Sequence, residues 1–334
     1  MAITVGSTTI ARARVVTGGR SATGHVVARR TGCASSVPDH DRVDVALGSP
    51  LRRIRMQLLT IRALRLAHRL CGRFMPPLAF SRNIDGIPGR VHFGDQMFTS
   101  DEPRHVRHYV EDGLSAVDNI EASLAAAGRS FSDVTSCLDF PSGYGRVIRH
   151  LVNRIPPSRI SASDIDYEGA RFCQAEFGVR TLRSHLDPQR IPFERYDLIF
   201  VGSLLTHLPA SMGFQVLDAL RKTLYDGGLL IFTTQGESCL GHLDWYGPRF
   251  AAAEAQYVAG LKQFGSWHLP YGEGSYGVTL HSVPYLREMM SHTHGDALRC
   301  IRFSERGWDK HQDVWTYQQS ADAGRRAGTA EYDG

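Results

Sequence analysis

The stretch Leu138-Asp139-Phe140-Pro141-Ser142-Gly143-Tyr144-Gly145-Arg146 joins an apolar run to a helical pattern. Two glycines one residue apart let the backbone turn tightly and approach a ligand closely. A helix opening there leaves unpaired N–H groups at the turn. Asp139 stands just before the glycines, where a carboxylate can attract a cationic ligand or order water. The next apolar run closes on Ser163-Asp164-Ile165-Asp166, with Asp164 lying 19 residues after Gly145. At that spacing a carboxylate can accept two hydrogen bonds from a ribose diol. The competing role for Asp164 is to cap the helix that follows. Asp166 suits the cap better, which leaves Asp164 to bind ligand. The third glycine of a dinucleotide fingerprint is missing, with Ile148 in its place. That glycine normally permits close helix–strand packing beneath a pyrophosphate. Its loss, with the acid before the turn, favours a nucleoside ligand without pyrophosphate.

His207 follows another apolar run, Tyr196–Ser203. An imidazole with an ordinary pKa of about 6.5 can take a proton from an acceptor hydroxyl near neutral pH. The alternative is a histidine that packs or caps the loop before Pro209. His281, His292, His294 and His311 have no ligand spacing, and no metal is expected.

The elements that must position these residues alternate. Strands are expected at Val134–Phe140, Arg159–Ile165, Val179–His185, Tyr196–Ser203 and Gly228–Thr234. Helices are expected at Arg146–Asn153, Tyr167–Phe177 and Gly213–Leu224. Such βαβ alternation implies a parallel, doubly wound α/β sheet with helices on both faces. Ligands bind such a sheet at the carboxyl ends of its strands. A further helix, Pro284–His292, precedes two strands, Leu298–Ser304 and Asp313–Tyr317. Upstream, residues 103–127 form a helix with Val106, Tyr109, Val110, Leu114, Val117, Ile120 and Leu124 as its apolar stripe.

Residues 237–280 interrupt the alternation and hold 8 aromatics, against a chain average of 9%. Aromatic walls suit a lid that excludes water from an organic acceptor; ordinary packing helices are the other reading. The segment before residue 128 is expected to cover the opposite rim, with Tyr109 contributing.

The 334 residues carry a formal charge of +4, unevenly spread. Residues 1–75 hold 13 Arg and 3 Asp, a charge of +10, which leaves −6 on the remainder. A mildly acidic body lacks the basic face that tracks phosphates, so no nucleic-acid partner is expected. Residues 1–50 show no period and read as a disordered or non-native N-terminal extension. Residues 51–128 form a helical N-terminal region. Within it, Leu51, Ile54, Leu58, Ile61 and Leu66 alternate with arginines over 51–73. That pattern suits either peripheral contact with an anionic membrane or a helix packed on the main domain. Residues 129–320 form the ligand-binding domain and 321–334 a frayed tail. The six cysteines, Cys33, Cys71, Cys137, Cys173, Cys239 and Cys300, form no CxxC pair and fit a reducing compartment. No apolar run reaches the length of a membrane span, and the expected location is cytoplasmic, with a membrane-peripheral contact as the further option.

Five stretches carry a resemblance. They are Leu138-Asp139 with Gly143-Tyr144-Gly145-Arg146; Asp164 with Ile165; His185-Leu186-Asp187 with Ile191-Pro192-Phe193; Tyr196 through Gly202-Ser203 to Leu208; and Leu224-Tyr225-Asp226-Gly227-Gly228-Leu229-Leu230-Ile231. In this order and spacing, Val134 to Gln235 resembles the class I S-adenosylmethionine-dependent methyltransferases, with a weaker likeness to Tyr317. The resemblance implies a Rossmann-like sheet of seven strands, the last antiparallel, with 298–304 and 312–318 as its final hairpin. It implies S-adenosyl-L-methionine as cofactor, held by Asp139, Gly143, Gly145, Arg146, Asp164, Ile165, Asp187, Gly202 and Ser203, with Asp187 or its neighbours at adenine. The expected activity is methyl transfer to a small or medium organic acceptor, including a sugar or glycolipid-type hydroxyl, with His207 as the candidate base. The alternatives are a noncatalytic cofactor-binding protein of the same fold and a nicotinamide oxidoreductase.

Overall fold

The computed structural model describes residues 79–80, 90–98 and 103–321. The extension at 1–50, the basic helix at 51–73 and all but the first residue of the 321–334 tail lie outside them. A two-residue pair, Ala79–Phe80 (β1) with Val91–His92 (β2), precedes the long helix Pro103–Ala126 (α1). The main sheet is built from Cys137–Asp139 (β3), Ile160–Asp164 (β4), Arg180–Arg183 (β5), Tyr196–Val201 (β6), Leu224–Thr234 (β7), Leu298–Trp308 (β10) and Gln312–Gln319 (β11). Its order is β10-β11-β7-β6-β3-β4-β5. Strands β3 to β7 run parallel, and β11 enters antiparallel between β7 and β10. This is the seven-stranded sheet with an antiparallel last strand that the sequence led us to expect.

Strand β6 is apolar over Leu198–Val201 because both faces of the sheet are covered there. In β6, Leu198 and Phe200 face one layer while Ile199 and Val201 face the other. The first layer contains α1, Ile148–Leu151 (α2) and Tyr167–Phe177 (α3). The second contains Ala210–Arg221 (α4) and Val283–His294 (α7). Asp166 caps α3 by accepting from the Glu168 N–H at 3.2 Å, and Gly178 ends it in the left-handed region. Helix α1 buries Val106, Tyr109, Val110, Val117, Ile120 and Leu124, but Leu114 points to solvent. Its place in the stripe falls to Gly113, where a Cβ would lie 2.2 Å from the Arg146 carbonyl oxygen. The missing side chain lets α1 lie directly on the glycine turn.

Several elements differ in extent from the sequence expectation. The helix after the glycine turn is a single turn, α2, rather than Arg146–Asn153. Strand β10 continues past Ser304 through an irregular register to Trp308. Trp308 is drawn in because its indole N–H donates to the Asp112 carbonyl at 2.9 Å.

The segment 237–280 folds around its own small core. Helices Pro248–Ala252 (α5) and Glu254–Phe264 (α6) pack on the antiparallel hairpin Ser266–Pro270 (β8) and Gly277–His281 (β9). Phe250, Tyr257, Leu261, Val278 and Leu280 fill that core. Part of the aromatic excess is therefore ordinary packing. Among the described residues no helix is long and apolar enough to cross a membrane.

Candidate functional site

Strand order reverses between β3 and β6, the position at which open α/β sheets bind ligands. A cleft of about 220 Å³ lies there, beyond the carboxyl ends of β3, β4 and β6. Asp139, the last residue of β3, is 2% exposed and lines it. Its Oδ2 is buried with no hydrogen-bond partner, as is the Ser142 Oγ beside it. Burial, with nearby Asp164 adding to it, pushes the Asp139 carboxyl up to about 8.

The turn after β3 is fixed by Asp164. The Gly143 N–H donates to Asp164 Oδ2 at 2.8 Å, and the Asp166 N–H donates to Oδ1 at 2.8 Å. Burial raises the Asp164 carboxyl, while these backbone donors oppose the rise. Gly143 has φ of +51° and open space where a Cβ would stand. A non-glycine residue would be strained there and would project into that space. Asp166 also accepts from the Tyr144 hydroxyl at 2.7 Å, so the cap of α3 holds the turn's aromatic ring.

Gly202 and Ser203 follow β6 and line the same cleft. A Cβ on Gly202 would come within 2.7 Å of Phe200 and 3.0 Å of Trp308, both lining residues. Ser203 sits at φ +56°, held by its N–H bond to Thr233 Oγ1 at 2.8 Å. The loop that carries His207 is stitched to β9. The Gly277 N–H donates to the His207 carbonyl at 2.9 Å, and Thr279 N–H to the Thr206 carbonyl at 2.8 Å. The His207 Nδ1 lies 2.7 Å from the Gly277 carbonyl oxygen. A carbonyl only accepts, so Nδ1 carries the proton and Nε2 keeps the lone pair of the neutral ring. Burial holds the His207 pKa below its ordinary value. Tyr276 stacks on the ring with centroids 4.8 Å apart, and Tyr246 and Tyr271 surround it. Among these tyrosines, Tyr276 lines the cleft.

Asp139, Gly143, Arg146, Asp164, Gly202, Ser203 and His207 thus share one cleft. Arg146 is paired with Asp112 of α1, and its guanidinium lies 5.3 Å from the Trp308 ring centroid. Gly145 is not a lining residue; a Cβ there would meet Phe177 at 2.5 Å, so it seats the turn on α3. Ile165 is 60% exposed and does not line the cleft. Asp187 does not line it either, and caps the short turn Pro188–Arg190 by accepting from the Gln189 N–H at 3.0 Å. Asp95, Met97, Tyr144 and Trp308 line the cleft without having been singled out from sequence. Asp95 is 3% exposed and accepts from the Tyr109 hydroxyl at 2.6 Å. Tyr109 therefore reaches the rim through another residue.

Among the described residues no group of three or more His, Cys, Asp or Glu side chains could hold a metal ion. The cleft does fit a nucleoside that carries an amino-acid group. It presents a buried carboxylate oxygen and a hydroxyl without partners, a backbone turn free of side chain, and a second carboxylate at the end of the neighbouring strand.

No protein-family profile matches the chain, and no curated protein matches it by sequence. Solved structures are similar in backbone. Magnesium protoporphyrin IX methyltransferase from Synechocystis PCC 6803, with bound S-adenosylhomocysteine, is 14% identical over 67% of this chain and 92% of its own, at a TM-score of 0.45. Human N-acetylserotonin methyltransferase, with S-adenosylmethionine, is 14% identical over 63% of this chain and 52% of its own, at 0.41. The N-methyltransferase NodS from Bradyrhizobium japonicum WM9, with S-adenosylhomocysteine, is 13% identical over 68% of this chain and 92% of its own, at 0.40.

Proposed function

We propose that the chain is a methyltransferase that uses S-adenosylmethionine and a small or medium organic acceptor. The observation that carries this reading is the pair of buried, partnerless atoms, Asp139 Oδ2 and Ser142 Oγ, in the cleft that Asp164 and the open Gly143 turn share. Buried polar groups are rarely left without partners, and a ligand that supplies them accounts for the exception. When bound, the cofactor supplies an electrophilic methyl group on a sulfonium sulfur. Asp139 and Ser142 would hold its amino-acid end, Asp164 its ribose, and Gly143 a close backbone approach.

The remaining work belongs to the chain. Gly202 and Ser203 shape the wall after β6, next to His207. His207 takes the proton that the acceptor loses, through Nε2, while its Nδ1 bond to Gly277 fixes the ring. Tyr276 lines the cleft and exposes aromatic surface there, which suits an acceptor with an apolar or sugar-like face.

Calorimetric titration of the full chain with S-adenosylhomocysteine and, separately, with NADH tests the reading. Saturable binding of the first and none of the second is expected. NADH binding with no S-adenosylhomocysteine binding would overturn it in favour of an oxidoreductase. Binding without product formation across a broad acceptor panel would favour a noncatalytic cofactor-binding protein.

A further inference from the structure

We infer that Tyr276 is a wall shared by two subsites: its hydroxyl donates to the ribose of the bound cofactor, and its ring holds the ring of His207. The inference rests on the methyltransferase reading and adds to that site a positioning residue from outside the main sheet.

Tyr276 enters the cleft from the tip of the β8–β9 hairpin. Its backbone is fixed on both sides. The Tyr276 carbonyl accepts from the Tyr271 N–H at 2.9 Å, which closes the tip. The next residue is held twice by His207. The Gly277 N–H donates to the His207 carbonyl at 2.9 Å, and the Gly277 carbonyl accepts from His207 Nδ1 at 2.7 Å. A Cβ at Gly277 would collide with the Leu269 carbonyl oxygen, so the hairpin closes here on a glycine. The residue that Tyr276 stacks on is thus the residue that anchors its main chain.

The side chain then meets two neighbours of different chemistry. The Tyr276 and His207 rings stack with centroids 4.8 Å apart and planes 28° from parallel. Asp164 lines the same cleft of about 220 Å³, and its charge adds to burial in raising the Tyr276 hydroxyl above its ordinary pKa. That hydroxyl makes no hydrogen bond among the described residues. Tyr276 is 56% exposed, so water can satisfy it while the cleft is open. A ligand that fills the cleft displaces that water, and the hydroxyl then needs a partner on the ligand. An ionised Asp164 can only accept, whereas a ribose hydroxyl both donates and accepts. One ribose can therefore donate to Asp164 and accept from Tyr276, which makes the two side chains complementary at a single diol.

The consequence is relative position. A side chain that bonds the ribose through its hydroxyl and stacks on His207 through its ring fixes cofactor and base with respect to each other. Tyr276 itself takes no part in bond making.

The test uses the full chain and needs no turnover. Calorimetry compares S-adenosylhomocysteine with its 2′-deoxy and 3′-deoxy analogues on the wild type and on Tyr276→Phe. The variant is expected to bind S-adenosylhomocysteine about three- to tenfold more weakly. It is expected to bind one of the deoxy analogues as tightly as the wild type does, because that analogue lacks the hydroxyl that Tyr276 meets. Tyr276→Ala tests the other contact. Nitrogen-15 NMR of the ligand-free chain should show the His207 midpoint rising towards about 6.5, because a ring that helps to bury it is gone. Tyr276→Phe should leave that midpoint unchanged. Equal loss for all the ligands, no loss for any, or an unmoved His207 midpoint in Tyr276→Ala overturns the inference and leaves the cofactor reading standing. No binding of S-adenosylhomocysteine to the wild-type chain overturns both.

Discussion

The backbone N–H of Gly143 and the carboxylate of Asp164 are joined at 2.8 Å, tying the turn after β3 to the end of β4. The carboxylate therefore has two tasks, to shape the turn and to face the cleft. Asp164→Ala leaves the Gly143 and Asp166 N–H groups without their acceptor. Both bonds are only partly buried, so water can reach the freed donors, and the loss is about 0.5–1.5 kcal/mol. The expected outcome is a loss of that size in urea unfolding, together with at least about tenfold weaker S-adenosylhomocysteine binding. A variant that loses stability but binds normally would confine Asp164 to a structural role.

Asp139 gives a pH signature. Its carboxyl is pushed up to about 8 by burial and by Asp164, whereas an unfolded aspartate titrates near about 3.9. Between these values the folded chain retains a proton that the unfolded chain has released. Stability therefore falls as pH rises from about 4 towards about 8, and this contribution levels off above that range. Asp139→Asn should melt with a flatter pH profile across the same window. A ligand ammonium beside Asp139 would favour the ionised form, so S-adenosylhomocysteine binding at pH below the shifted value should release a proton. Titrations in buffers of different ionisation enthalpy would detect it, and buffer-independent heats would count against that contact.

Much of this architecture is legible in the residues. The apolar runs ending at Asp139, Asp164 and Ser203 gave the strands and their carboxyl ends, because buried parallel strands tolerate few polar side chains. Asp166 reads as a cap from its place before an apolar helical pattern, and it does cap α3. Asp95 was not legible. Its segment is short and has no period, and its position depends on Tyr109, 14 residues away, and on Arg149. Trp308 was hidden for a related reason, since β10 is carried through its irregular register by a bond to Asp112 on a distant helix. The partner of Arg146 is also remote in sequence: the resemblance offered the guanidinium as a ligand contact, and nothing near it in the chain announced the pairing with Asp112. The resemblance offered Asp187 or its neighbours as the adenine contact; in the structure its carboxylate accepts from the Gln189 N–H and does not line the cleft.

His207 should be neutral at pH 7 with the proton on Nδ1. The Gly277 carbonyl accepts that proton at 2.7 Å, and burial lowers the pKa of the ring. Nitrogen-15 NMR of labelled protein reports the tautomer directly, and a midpoint below about 6.5 is expected. His207→Ala should bind S-adenosylhomocysteine within about twofold of wild type while turnover falls by about 10²–10⁴. Its acid limb in a kcat profile should follow the same low midpoint. Near-normal turnover in the alanine variant would remove His207 from the mechanism.

Ser203, Thr233 and Gln312 close a ring behind the cleft. Ser203 N–H donates to Thr233 Oγ1 at 2.8 Å, that hydroxyl donates to Gln312 Oε1 at 2.7 Å, and Gln312 Nε2 donates to Ser203 Oγ at 3.1 Å. The ring holds Ser203 at φ +56°, a conformation costly for a residue with a Cβ. Thr233→Val keeps the shape but strips the acceptor from the Ser203 N–H and the donor from Gln312. A loss of about 1–3 kcal/mol is expected in urea unfolding. Ser203→Gly should be close to neutral, because relief of about 1–2 kcal/mol of left-handed strain offsets the lost acceptor for Gln312. The two variants thus separate the ring from the backbone conformation it maintains. If Thr233→Val is as stable as wild type, the ring does not hold the wall, and Ser203 must keep its conformation through the loop that leads to His207.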